Sequence, residues 1–116
     1  MNIIIPIGGK SERFKELYNN KPKQYIKIFE KCMINYVLDC INTIHDDKIF
    51  IISYSLNMDL IDKYKNVEFI QLSNQTRGAA ETILQGCEKI KQLSKHKKCV
   101  LLDCDTFYTQ DFFKII

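Results

Sequence analysis

The run from Asn2 to Ile7 constrains the fold more than any other stretch of this chain. It reads Asn-Ile-Ile-Ile-Pro-Ile and is apolar at every position after the first. A strand with one face in water alternates apolar and polar side chains, whereas a strand covered on both faces has no polar face to show. Its β-branched isoleucines favour a strand over a buried helical segment. Gly8 and Gly9 then turn the chain. Such a strand belongs in a mainly parallel sheet with helices on both faces.

The rest of the sequence supplies the partners. From Ile34 to Ile44 apolar residues recur at Ile34, Val37, Leu38, Ile41 and Ile44, the three-and-four spacing of a helix with one buried face. Lys48 to Tyr54 reads as a second strand, Asp59 to Tyr64 as a short polar helix and Val67 to Leu72 as a third strand. Ala79 to Leu93, after Gly78, carries apolar residues at Ala79, Ile83, Cys87, Ile90 and Leu93 and predicts a long helix. Cys99 to Leu102 predicts a fourth strand. Lys10 to Tyr18 reads as a loop running into a short helix, which Asn19, Asn20 and Pro22 break. This alternation predicts an α/β fold, a three-layer α/β/α Rossmann-like sandwich.

Composition narrows the function classes. The chain has 116 residues, 46% hydrophobic and 27% charged, enough to bury roughly 65% of its unfolded surface and too apolar for a disordered tail. Its net charge of +3, from 17 Lys and Arg against 14 Asp and Glu, is a mild bias toward anionic ligands. Lysines are spread along the chain, without the dense basic stripe of a nucleic-acid binder, and Lys95 to Lys98 reads as a solvated turn. Cys32, Cys40, Cys87, Cys99 and Cys104 lack zinc-site spacing and read as free, mostly buried thiols. His45 and His96 have no ligand-spaced partners. No stretch approaches the ~20 apolar residues of a membrane span. These features predict a cytoplasmic protein that binds neither nucleic acid nor membrane.

Two polar clusters fall where open α/β sheets receive ligands, beyond the carboxyl ends of strands. Gly8 and Gly9 follow the first strand and lack the side chains that would keep backbone amides from a phosphate. Arg13 and Lys23 add positive charge, Arg13 as a fork of donors and Lys23 as a mobile point charge. Asp103 and Asp105 follow the fourth strand two residues apart, on one face if the strand continued. Aspartate pairs of this kind either hold a hard cation such as Mg2+ or cap a turn by hydrogen bonding. Cys104, between them, is a poor thiolate because neighbouring negative charge raises its pKa.

Read in order, I-P-I-G-G-K-S-E-R-F at Ile5 to Phe14 and K-P-K-Q-Y at Lys21 to Tyr25 resemble the N-terminal signature of the sugar-phosphate nucleotidyltransferase family. The K-P-K-Q-Y string is also similar to the related methylerythritol phosphate cytidylyltransferases. Lys27 to Ile34 has the strand-and-turn texture that precedes the family's second helix. Q-T-R-G-A-A-E-T at Gln75 to Thr82 resembles its base-reading turn, and L-L-D-C-D-T at Leu101 to Thr106 its metal strand.

The resemblance implies that residues 1–116 form the nucleotide-binding part of a nucleotidyltransferase-like domain. Its partners would be a nucleoside triphosphate and a phosphorylated small molecule such as a sugar phosphate, with Mg2+ as cofactor. Gly8 and Gly9 would line the triphosphate, together with Ser11, which stands where the family usually has its second loop glycine. Arg13 would stabilise charge during transfer, and Lys23 would contact the phosphate under attack. Gln75, Gly78 and Ala79 would meet the base, and Asp105 would hold the metal with Asp103 in support.

Three alternatives stand beside this reading. The chain would be an excerpt of a longer enzyme, since the family's catalytic domain continues past this point; or a nucleotide-binding or assembly module without turnover. D-C-D-T also imperfectly resembles the signature of haloacid dehalogenase-type phosphatases, with Asp103 as nucleophile and Asp105 as acid. The apolar end at Phe112, Phe113, Ile115 and Ile116 favours association into a homo-oligomer.

Overall fold

The computed structural model describes residues 1–7, 27–44, 47–54, 58–90, 98–104, 106, 108 and 109, with the backbone alone for residues 42–44. In chain order the elements are β1 (Asn2–Ile7), β2 (Lys27–Ile28), β3 (Lys31–Cys32), α1 (Met33–Ile44), β4 (Lys48–Ser53), a 3-10 turn (Met58–Leu60), β5 (Val67–Gln71), α2 (Ala79–Lys89) and β6 (Cys99–Leu101). Strands β5, β4, β1 and β6 lie side by side in that order, and every neighbouring pair is parallel. β2 and β3 form a separate antiparallel hairpin.

Strand β1 is enclosed, which explains its lack of a polar face. Ile3, Ile5 and Ile7 pack on one side with Ile34, Val37, Leu38 and Ile41 of α1 and with Ile49 and Ile51 of β4. Ile4 points the other way and joins Phe50, Ile52, Leu72 and Ile90 in the layer that α2 covers, where Cys87 packs against it. Burying one isoleucine contributes roughly 2 kcal/mol, so a strand covered twice anchors both layers. Two helices on opposite faces of a parallel sheet make the α/β architecture that the alternation of elements predicts.

Two elements differ from expectation. Asp59 to Tyr64 is not a polar helix; a 3-10 turn covers Met58–Leu60. Ile61 and Tyr64 are buried, and Asn35 Nδ2 on α1 donates to the carbonyl of Leu60 at 2.8 Å. These inward anchors hold the segment more strongly than its weak helical preference. In α2 the described helix ends at Lys89, where Ile90 is extended at φ −81° and ψ 106°; Leu93 lies outside the described residues, as does the short helix expected before Tyr18. The buried residues of α2 are Thr82 and Gly86 rather than Ala79, which is exposed. The reason is steric: the helix approaches β4 so closely that only a small residue fits over Ile52.

Candidate functional site

A parallel sheet sends the carboxyl ends of its strands to one edge. Here the chain runs from β1 to β4 to β5 on one side and then returns to lay β6 on the other. Ligands enter open α/β sheets in the crevice outside such a reversal, between the two strands from which the chain departs in opposite directions. Those strands are β1 and β6. In the sequence the two polar clusters singled out above follow these two strands. Gly8, Gly9, Ser11, Arg13, Lys23 and Asp105 lie outside the described residues, as do His45 and His96.

Pro6 shapes this crevice. Proline is normally excluded from central strands because it cannot donate to the ladder. Along β1 the residues that bond to β6 are the even ones: Asn2 N–H donates to Lys98 O at 2.7 Å, and Leu102 N–H donates to Ile4 O at 3.0 Å. The next position in that phase is Pro6, whose nitrogen has no hydrogen. Pairing with β4 continues to Ile7 and Ser53, whereas pairing with β6 stops at Ile4 and Leu101. The missing proton therefore falls on the seam between β1 and β6 and ends it short of the carboxyl edge.

The first described element after Lys23 is the β2–β3 hairpin. Its two-residue turn, Phe29 and Glu30, has φ of 52° and 68°, the mirror-image turn that suits a right-twisted hairpin and usually takes Asn-Gly. For residues bearing a side chain this conformation costs roughly 1 kcal/mol each. Bonds to α1 offset it. Tyr36 OH donates to Ile28 O at 2.6 Å, Lys31 Nζ lies 4.5 Å from the centre of the Tyr36 ring, and Lys31 pairs with Asp39. Asp39 also accepts from Tyr64 OH, and Asn35 Nδ2 donates to that same phenol oxygen at 3.3 Å. Partial burial opposes ionisation of Asp39, but the Lys31 and Tyr64 donors outweigh it and hold the carboxyl below its usual range. Burial and the adjacent Asp39 push the Tyr64 phenol up, so it stays protonated. The network fixes the β2–β3 hairpin to α1 and to Tyr64.

The third part of the site is the turn before α2. Gln75 and Ala79 are exposed and Gly78 is half-buried. A buried hydroxyl pair shapes the turn: Thr76 Oγ1 and Thr82 Oγ1 are 2.5 Å apart, so one donates to the other, and Gly78 O, 3.2 Å and 3.0 Å from the two oxygens, accepts the remaining proton. Gly78 precedes the first turn of α2 and makes no side-chain cap. Its backbone is extended, at φ 174° and ψ −176°, and a Cβ built on it would meet nothing within 4 Å. The fold itself does not require glycine here. Arg77, exposed beside it, donates from Nε to Glu81 at 2.7 Å.

Asp103 follows β6. The strand ends at Leu101, so the condition for a shared strand face at Asp103 and Asp105 is not met at Asp103; the missing Pro6 donor ends the pairing. Asp103 is exposed, and Cys104 is buried in the α1-side core. Asp103 follows the fourth strand of the sheet rather than its first, unlike the phosphatase signature. Its carboxylate offers hard oxygens suited to a Mg2+ held mainly by substrate phosphates and water. Among the described residues no group of three His, Cys, Asp or Glu could hold a metal by itself. A depression of about 370 Å3 lined by Asp47, Lys48, Lys65, Asn66, Val67 and Glu68 lies at the opposite, amino-terminal edge. No helix of the described residues is long and apolar enough to cross a membrane.

Reading the sequence for chemistry passes over Pro6, Thr76, Thr82 and Tyr108. Pro6 carried a signal, a proline inside an otherwise perfect strand; the threonines flanking Gly78 carried a weaker one, and Tyr108 none. No curated protein matches the chain. The family model of the MobA-like NTP transferase domain matches residues 3–115. With that match spanning nearly the whole sequence, and a mainly parallel sheet beneath it, the chain belongs to the MobA-like NTP transferase domain family, a family of nucleotidyltransferases.

Proposed function

We propose that this protein transfers a nucleoside monophosphate from a nucleoside triphosphate to a phosphorylated acceptor such as a sugar phosphate, releasing pyrophosphate, in nucleotide-sugar or surface-polysaccharide biosynthesis. The observation that carries this reading is the reversal of strand order between β1 and β6, the position at which open α/β sheets receive ligands.

In this reaction an acceptor phosphate oxygen attacks the α-phosphorus, the bond from that phosphorus to the bridging oxygen breaks, and pyrophosphate leaves with the bonding pair. Backbone amides at Gly8, Gly9 and Ser11 cradle the triphosphate. Arg13 and Lys23 neutralise the charge that spreads over the phosphates in the transition state. The base lies along the turn at Gln75, Gly78 and Ala79, and the open flank of Gly78 supports that placement. Asp105, with Asp103 in support, would hold Mg2+, which would supply Lewis-acid neutralisation of the charge on the phosphates.

The test is Mg2+-dependent pyrophosphate release from a triphosphate in the presence of sugar phosphates. Arg13→Ala and Lys23→Ala are each expected to lower kcat at least about 100-fold. Undiminished turnover in both variants refutes the roles given to them. Nucleotide-induced thermal stabilisation of the wild-type protein without product formation points instead to a binding module.

A further inference from the structure

Beyond Leu101 the chain has left the sheet, yet it does not swing free. The Asp103 amide donates to Tyr108 OH at 2.9 Å. The carbonyl of the same tyrosine accepts from Cys40 Sγ of α1 at 3.1 Å, and burial pushes the Cys40 thiol up, which keeps its proton available. The Tyr108 ring packs against the core on the α1 side of the sheet, where Cys104 is only 3% exposed. Tyr108 thus ties a backbone amide, its own carbonyl and its ring to three different points, while the Asp103 side chain between them stays exposed. A fixed main chain beneath a solvent-facing carboxylate is what a cation-binding turn needs: the carboxylate's position is set in advance, and its oxygens remain open to a ligand.

The geometry points to Tyr108 as a positioning residue: its phenol oxygen clamps the turn after β6 and so fixes the main chain that carries the exposed Asp103 carboxylate, holding that carboxylate for a cation bound together with the nucleotide. This inference rests on the nucleotidyltransferase reading of the crevice. Pro6 and Tyr108 are complementary in it. Pro6 denies β6 its next rung, and Tyr108 captures an amide of the released segment.

The experiment uses the protein with Mn2+ as the probe cation, titrated by electron paramagnetic resonance against αβ-methylene analogues of the four common nucleoside triphosphates, each in turn. Amide hydrogen exchange at Asp103 is followed in parallel. Tyr108→Phe keeps the ring and removes only the acceptor oxygen. It should speed Asp103 exchange and weaken nucleotide-dependent Mn2+ binding roughly fivefold, the loss expected for one hydrogen bond, while leaving metal-free binding of the analogue unchanged. Cys40→Ala, which cuts the second tether, should move both readouts the same way by about half as much on a logarithmic scale, and it decides the matter if Tyr108→Phe fails to fold. Wild-type Mn2+ affinity in these variants overturns the clamp. A wild-type protein without nucleotide-dependent Mn2+ binding overturns the reading of the crevice and the clamp with it.

Discussion

Gly78 and Gly86 stand two helical turns apart on one stripe of α2, with Thr82 between them, and they are glycine for opposite reasons. A Cβ on Gly86 would come within 2.7 Å of Ile52 Cγ1 and closer still to its Cγ2 and Cδ1. That glycine belongs to the packing of α2 on β4. A Cβ on Gly78 would enter open space on an extended backbone open to any residue. The first absence of a side chain is used up inside the chain; the second answers to no packing requirement of the chain itself.

Three substitutions test the contrast. Gly86→Ala has the largest expected effect: overpacking against Ile52 should lower stability by about 2 kcal/mol in urea unfolding, after a gain in helix propensity of roughly 1 kcal/mol, with nucleotide affinity of the folded protein unchanged. A variant as stable as the wild type would mean that Ile52 moves aside freely, and half of the contrast would vanish. Gly78→Val reverses the pattern. Its stability should stay within about 0.5 kcal/mol of wild type while nucleotide affinity, measured calorimetrically, falls about tenfold. Equal affinity would return Gly78 to the role of an ordinary helix boundary. Thr82→Val, between the two, removes one hydroxyl of the pair with Thr76 and should cost about 1 kcal/mol of stability. Its loss of nucleotide affinity should be smaller than that of Gly78→Val, since the turn loosens without being obstructed.

How much of this could be read in advance depended on where each signal is stored. β1 and α1 were legible to within a residue, because Ile3, Ile5 and Ile7 and the stripe Ile34, Val37, Leu38 and Ile41 write their burial directly into the spacing of apolar residues. The buried face of α2 was not, because it is made of Thr82 and Gly86, and no hydropathy pattern marks a glycine as core. The segment after Tyr54 misled for another reason. Its shape comes from Asn35 and the inward turn of Ile61 and Tyr64, contacts between residues distant in sequence. Of the candidate site, the motifs indicated which segments to consider, and the strand order puts the two strands that precede them, β1 and β6, side by side. The supports of the site, Pro6, Thr76 and Tyr108, act through single hydrogen bonds made or withheld, and residue type alone does not announce them.

The parallel sheet has a consequence for how this protein is made. β1 pairs with a strand that begins at Lys48 and another that begins at Cys99, so β1 leaves the ribosome roughly 90 residues ahead of its second neighbour. At roughly 5–20 residues per second, that is a wait of about 5–20 s. An uncharged, isoleucine-rich hexamer waiting unpaired has the composition of a segment that stacks on copies of itself. Pro6 interrupts any such stack, because a self-templating strand needs every amide proton. The atom missing from the mature crevice is thus also missing from the nascent chain, where it guards against aggregation before a crevice exists.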